Sequence, residues 1–128
     1  MAKLTPARRS ATKSASSPYC PDANEFIWLQ FNPQAGSEQA NRRPALVLSP
    51  RAYNAKSGLC VVCPTTNQNK GYPFEVRLPD GFAVSGVILS DQIKNLSWNH
   101  RGSTFICPCP QDISADVLAK VRALLGIS

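Results

Sequence analysis

From Pro21 onward the chain is a series of short apolar runs, broken at close intervals by proline, glycine or asparagine. Residues 26–31 (FIWLQF) are strongly apolar and stop at Asn32-Pro33; residues 45–49 (ALVLS) follow Pro44 and stop at Pro50. Residues 59–62 run towards Pro64, and residues 74–78 (FEVRL) alternate apolar with polar. Residues 84–89, 93–96 and 104–107 complete the series. Such runs, bounded by turn-forming residues, predict about six or seven closely spaced strands, hence a sandwich or small barrel. One segment has a helical period instead. Val117, Leu118, Val121, Leu124 and Leu125 form a single stripe over residues 115–125, with Ser114 placed to cap the start and Gly126 to end it. Asp116 would lie at the positive end of that helix. A shorter helical turn is expected over residues 51–56, after Pro50.

The 128 residues suit one domain. No apolar run approaches the ~18–20 residues of a membrane span. Residues 1–18 are rich in Ala, Ser, Thr and Pro and lack apolar periodicity, so they cannot offset their ordering entropy. The organisation expected is a flexible basic extension over 1–20, followed by a single domain over 21–128. No apolar segment follows the N-terminal charges, which excludes a secretory signal; a disordered extension is preferred over a transit peptide. The net charge of +6 is unevenly distributed. Lys3, Arg8, Arg9 and Lys13 lie in the extension, whereas Asp22, Glu25 and Glu38 make residues 21–41 acidic. Residues 42–101 hold eight basic and three acidic residues, a balance suited to a polyanion or an acidic partner.

Five cysteines include Cys60-x-x-Cys63 and Cys107-x-Cys109. On a strand, residues three apart point to opposite faces, and Pro108 bends the second pair, so the cysteines read as small buried hydrophobes and no metal site is expected. Their odd number fits a reducing cytoplasm. His100 is the only histidine and reads as a surface-loop residue. There is no G-x-S-x-G elbow, P-loop or H-E-x-x-H motif, so an enzyme built on this chain must work with carboxylates, hydroxyls and arginines. Those groups cluster in three polar segments. Residues 32–44 hold Gly36, Ser37, Glu38, Gln39 and Arg43; residues 64–71 hold Thr65, Thr66, Asn67 and Lys70; residues 90–92 hold Asp91 and Gln92. Above a β scaffold, such groups suit a phosphate-bearing ligand, although each segment alone also reads as a solvated turn. Trp28 and Phe31 either stack bases or belong to the core, Trp98 is assigned to the core, and Glu75 and Arg77 read as a solvated face.

At these segments the chain resembles the MazF/PemK (Kid) family of toxin endoribonucleases from bacterial toxin–antitoxin pairs, on the MazF branch. The resemblance is carried by G-S-E-Q (36–39), R-P-A-L-V-L-S-P (43–50), K-G-Y-P-F-E-V (70–76) and S-G-V-I-L-S-D-Q (85–92), within a stretch from Pro21 to Trp98. It implies a mainly β fold with a C-terminal α-helix, an SH3-like small β-barrel shared with CcdB-like toxins, and a homodimer. It also implies sequence-specific, metal-independent cleavage of single-stranded mRNA in the bacterial cytoplasm, without a cofactor, leaving a 2′,3′-cyclic phosphate and a 5′-OH and so halting translation. The partner implied is a MazE-like antitoxin with an acidic flexible tail, operator DNA being reached only through that complex.

Arg43 and Thr66 match the family's main catalytic positions, and Glu38 is either the base for the 2′-OH or an orienting residue. Ser37, Gln39, Lys70 and Gln92 match positions lining the RNA groove; Thr65, Asn67, Trp28 and Phe31 are further candidate RNA contacts. The basic extension departs from the family pattern. It either adds salt-sensitive RNA affinity or does nothing. Two rival readings are a CcdB-like toxin that poisons gyrase without catalysis, and a family member that only binds antitoxin or operator DNA.

Overall fold

The computed structural model describes residues 19–32 and 42–127. The expectations for residues 1–18, and for Ser37, Glu38 and Gln39, lie outside the described residues. Within them the chain forms β1 (Glu25–Gln30), β2 (Arg42–Val47), α1 (Arg51–Ser57), β3 (Leu59–Thr66), β4 (Glu75–Arg77), β5 (Val87–Leu89), β6 (Lys94–Ser97), β7 (Thr104–Pro108) and α2 (Gln111–Leu125). All strand pairs are antiparallel, in the order β4-β5-β3-β2-β1-β7, with β6 also on β3. Strand β3 is the hub. Its Val62–Pro64 stretch pairs with β2, Leu59–Val62 with β6, and Thr65 and Thr66 with β5.

Both faces of the central strands are covered, which is why their sequences are near-continuous apolar runs. One cluster joins Phe26, Leu46 and Cys63 to Val76, Ile88 and the α2 residues Ile113, Val117 and Val121. The other gathers Ile27, Leu29, Ala45, Val47, Cys60 and Val62, with Trp98 packed against it. Cys60 and Cys63 thus fall on opposite faces, as their spacing requires. Burial pushes each thiol up to about 12.

Helix α2 corrects the expected start. It begins at Gln111, directly after Pro110 in an extended conformation, so Ser114 does not cap it. Ser114 is buried inside the first turn and donates its hydroxyl to the Gln111 carbonyl at 3.1 Å. A proline just before a helix loses nothing, because the first-turn N–H groups have no intrahelical partner. The stripe also divides: Val117 and Val121 reach the core, whereas Leu118, Leu124 and Leu125 are exposed. Gly126 ends the helix in the left-handed conformation, as expected. Helix α1 bears out the short turn after Pro50 and stops at Gly58.

Tyr19 and Cys20, assigned by sequence to the extension, are tied to the folded body. The Tyr19 hydroxyl donates to the Glu25 carboxylate, and its ring centroid lies 5.9 Å from that of Phe105. Arg51 donates through Nε to the Cys20 carbonyl and pairs with Asp22 and Glu25 at 3.4 and 3.5 Å. Among the described residues, no helix is long and apolar enough to cross a membrane.

Candidate active site

The site is laid out by the register of β2 and β3. Ala45 faces Pro64, Leu46 faces Cys63 and Val47 faces Val62. Carried on by two residues, the same register sets Pro44 opposite Thr65 and Arg43 opposite Thr66. Pro44 has no N–H to offer the ladder. Thr65 bridges the gap instead, its hydroxyl donating to the Pro44 carbonyl at 2.9 Å. On its other edge β2 pairs with β1, with Pro44 against Trp28 and Arg43 against Leu29.

Arg43 and Thr66 therefore stand on strand ends, not in the loops where their polar neighbours placed them. β2 already begins at Arg42, and β3 runs on through Thr66. Strands hold side chains more tightly than loops do, which suits a pair that must keep a fixed separation.

Two clefts flank this pair. The first, about 400 Å³, is lined by Trp28, Arg42, Arg43, Pro44, Thr65, Thr66, Asn67 and residues 83–85. The second, about 360 Å³, is lined by Arg43, Thr66, Gln68, Lys70, Tyr72, Glu75, Leu89, Asp91 and Gln92. Arg43 and Thr66 are the two residues common to both, and so form the ridge between them.

The hydrogen bonding around the ridge is directional. Thr66 Oγ1 accepts the Gln68 N–H at 3.2 Å, which leaves the hydroxyl proton free to be donated outward. The Arg43 guanidinium is exposed and its carbon lies 6.0 Å from the centre of the Phe31 ring, a cation–π contact that steers the fork. Arg42 is tied down by contrast, donating to the Gly102 carbonyl at 3.0 Å and the Thr104 hydroxyl at 2.8 Å. Adjacent arginines thus divide their work: one pins the approach to β7, and the other faces the clefts.

The remaining candidates sort by position. Trp28 is 40% exposed and walls the first cleft. Phe31 is partly buried against the second core cluster. Thr65 is buried, its hydroxyl committed to Pro44. Asn67 is exposed and accepts the Ser85 hydroxyl through Oδ1 at 2.8 Å. Lys70 and Gln92 line the second cleft, and Lys70 Nζ lies 6.0 Å from the centre of the Tyr72 ring. His100 is exposed, shares a contact with Ser97 and borders neither cleft.

Arg77 is exposed, as expected of a solvated face, but Glu75 is half-buried and departs from that reading. It lines the second cleft and accepts the N–H of Lys70 at 3.2 Å and of Gly71 at 2.9 Å, bracing the loop that carries Lys70 and Tyr72. Sequence reasoning also passed over Arg42, Tyr72 and Ser85. The Tyr of K-G-Y-P-F was the available signal for one of them; nothing local marked the others. Among the described residues, no three His, Cys, Asp or Glu side chains are grouped to hold a metal ion.

A family model described as PemK-like, MazF-like toxin of type II toxin-antitoxin system matches residues 22–125. The chain belongs to this family. It is 47% identical over 109 residues to the endoribonuclease toxin MazF of Escherichia coli strain K12, covering 84% of this chain and 96% of that protein. Among solved structures it is similar to MazF from Deinococcus radiodurans, with a TM-score of 0.78 and 51% identity over 86% of this chain and all of the other. A MazE–MazF complex from the same organism also matches at a TM-score of 0.78, with 46% identity over 87% of this chain and all of the matched chain. The sheet with its C-terminal helix is the architecture of this family of toxins.

Proposed function

We propose that the protein is a sequence-specific endoribonuclease that cuts single-stranded mRNA without a metal ion, with Arg43 and Thr66 at the point of cleavage. The observation that carries this reading is the ridge: a guanidinium and a free hydroxyl proton on neighbouring strand ends, with one cleft on each side. A single-stranded nucleic acid crossing such a ridge lays a phosphate on it and a base in each cleft. Trp28 in the first cleft and Tyr72, 60% exposed, in the second offer rings for stacking. Lys70, Gln92 and Asn67 supply polar contacts along the path, as do Ser37 and Gln39 by their place in the family pattern.

The chemistry follows from the substrate. RNA carries its own nucleophile, so the 2′-oxygen attacks the adjacent phosphorus as the bond to the 5′-oxygen breaks. The 2′-OH proton passes to a base, and the departing 5′-oxygen takes up a proton. The products are a 2′,3′-cyclic phosphate and a 5′-OH. Arg43 stabilises charge on the phosphoryl oxygens with a planar fork, and Thr66 donates to one of them and fixes the in-line geometry. Glu38 takes the 2′-OH proton or orients Arg43.

The exposed Arg43 and Lys70 along the same path suit an antitoxin's acidic flexible tail, which would block the ridge and silence the toxin. The resemblance to a MazE–MazF complex supports such a partner; the homodimer, and operator binding through the toxin–antitoxin complex, are carried over from the family resemblance. We also read the sheet as wrapping into an SH3-like barrel, since β3 pairs with β2, β5 and β6 in turn. The anchoring of Tyr19 and Cys20 shortens the proposed basic extension to residues 1–18, on a single domain that works in the bacterial cytoplasm.

Incubation of the protein with a long single-stranded RNA in EDTA, followed by sequencing of the cut ends, tests the whole reading. Discrete cuts bearing 2′,3′-cyclic phosphates, lost in Arg43→Ala and Thr66→Ala, are expected. A requirement for added Mg²⁺ or Zn²⁺ would overturn the mechanism. Intact RNA alongside stalled gyrase would favour the CcdB-like alternative.

A further inference from the structure

Gly86 lies in the S-G-V-I-L-S-D-Q segment without a role in the site, yet of the described glycines it makes the closest approach to neighbouring backbone. Strand β5 pairs with β3 through Thr65–Ile88 and Thr66–Val87, so the residue entering β5 falls beside the end of β3. At Gly86, with φ of 95°, a Cβ atom would stand 2.1 Å from the Thr66 carbonyl oxygen, 2.8 Å from its carbonyl carbon and 2.9 Å from Asn67 Oδ1. Two of those three atoms are backbone, so no side chain can rotate out of the way. The Gly86 carbonyl is itself held by the Leu78 N–H at 3.0 Å, and the Ser85 hydroxyl grips Asn67. The turn can retreat only by giving up these bonds.

We propose that Gly86 is a positioning residue for the cleavage reaction: its bare backbone lets the turn into β5 lie flush on the Thr66 peptide, which sets where the Thr66 hydroxyl stands beside Arg43. This inference rests on the Arg43–Thr66 reading above. A methyl group at residue 86 pushes the Thr66 carbonyl away and rotates the peptide, moving the hydroxyl without deleting it. RNA is still held by the rest of the path. The expected signature is a loss in kcat with KM nearly intact.

Gly81 provides an internal control. Its φ is 81°, so alanine there meets a comparable left-handed backbone strain, but no atom lies within 4 Å of the added methyl. Wild type, Gly86→Ala, Gly81→Ala, Thr66→Val and the double variant Gly86→Ala/Thr66→Val are compared for cleavage of one short RNA, with thermal unfolding measured alongside. Gly81→Ala is expected to keep kcat within about twofold of wild type, and Gly86→Ala to lose on the order of 10²-fold in kcat with KM within about threefold. In the Thr66→Val background, Gly86→Ala should cost less than about threefold more, because the group it displaces is already gone.

Gly86→Ala matching Gly81→Ala in kcat, or a full additional loss on top of Thr66→Val, overturns the inference alone. Wild-type kcat in Thr66→Val overturns the catalytic reading, and this inference with it. Should Gly86→Ala fail to fold, Ser85→Ala carries the test by removing the clamp on Asn67 without adding an atom. It should then lower kcat several-fold in the wild-type background and leave Thr66→Val unchanged; wild-type kcat in Ser85→Ala would refute the positioning role.

Discussion

Thr66→Val is the sharpest test of the proposed chemistry, because it removes one hydroxyl and little else. Valine keeps the branched shape, and the main-chain pairing of residue 66 with Val87 is untouched. The Gln68 N–H loses its acceptor, but Gln68 is exposed and water replaces the bond. Stability should therefore change by no more than about 0.5 kcal/mol, the range of ordinary surface substitutions. The catalytic cost is larger. A hydroxyl donating to a charged phosphate oxygen contributes about 1.5–3 kcal/mol. If that bond forms fully only in the transition state, kcat falls by about 10- to 150-fold while KM stays near its wild-type value. Thr66→Ser, which restores the donor, should recover most of the rate. Arg43→Ala should cost about 10²- to 10³-fold, as loss of a preorganised donor to an oxyanion does elsewhere. The double variant should fall short of the product of the two losses, since both groups act on one phosphate. The assay is the cleavage rate of a labelled short RNA at saturating concentration in EDTA. A Thr66→Val enzyme at the wild-type rate, or one altered only in KM, would refute the assignment of Thr66 to the reacting phosphate.

Three further outcomes follow from the structure. Asn54, fully buried, donates to the Pro21 and Ser49 carbonyls at 2.9 Å each and accepts the Ser49 hydroxyl at 2.6 Å, so Asn54→Ala strands three buried groups. At about 1 kcal/mol each, the loss should be roughly 3 kcal/mol by urea unfolding with an unchanged m value; a loss below about 1 kcal/mol would contradict the weight given to these three bonds. Burial raises the thiols of Cys60 and Cys63 to about 12 and of Cys109 to about 11, so at pH 8 iodoacetamide should label Cys20 and Cys107 first in the native protein and all five after denaturation, read by mass spectrometry. The Arg51 N–H, then the Ala23 N–H, hold the Asp22 carboxyl below its ordinary value despite some desolvation. A carboxyl lowered on folding stabilises the native state above its unfolded pKa of about 4, and that contribution is lost as pH falls through the folded value. Asp22→Asn should thus melt earlier than wild type at pH 7, and the gap should close in acid; a gap that widened there would reverse the sign.

Local chemistry carried much of the result. Apolar runs between turn formers mark the strands to within a few residues, because a strand buried on both faces has no room for polar positions. The three-residue spacing of Cys60 and Cys63 already separates them across the sheet, since side chains alternate along a strand. Gly126 marks the end of α2 through its left-handed conformation. Arg43 and Thr66 became the candidate reacting pair through the family resemblance of the motifs around them; residue type alone reads as a surface ion pair and a turn cap.

What the residues could not disclose depends on partners distant in sequence. Ser114 has the chemistry of a cap, but the Pro110 turn starts the helix earlier and leaves the serine buried. Leu118, Leu124 and Leu125 belong to one stripe with Val117 and Val121 by period, yet only the two valines are buried. Arg43 and Thr66 read as loop residues because their neighbours are polar; only the folded strands, with the register of β2 on β3 continued past Ala45–Pro64 and two clefts that both residues line, bring them together at strand ends. Glu75 owes its bonds, and Gly86 its proposed role, to backbone from other segments, the first to the N–H groups of Lys70 and Gly71, the second to the Thr66 carbonyl. A one-dimensional pattern records which side chains are available and which face they take. Which of them meet is set by strand pairing and close packing between distant segments, and those exist only once the chain has folded.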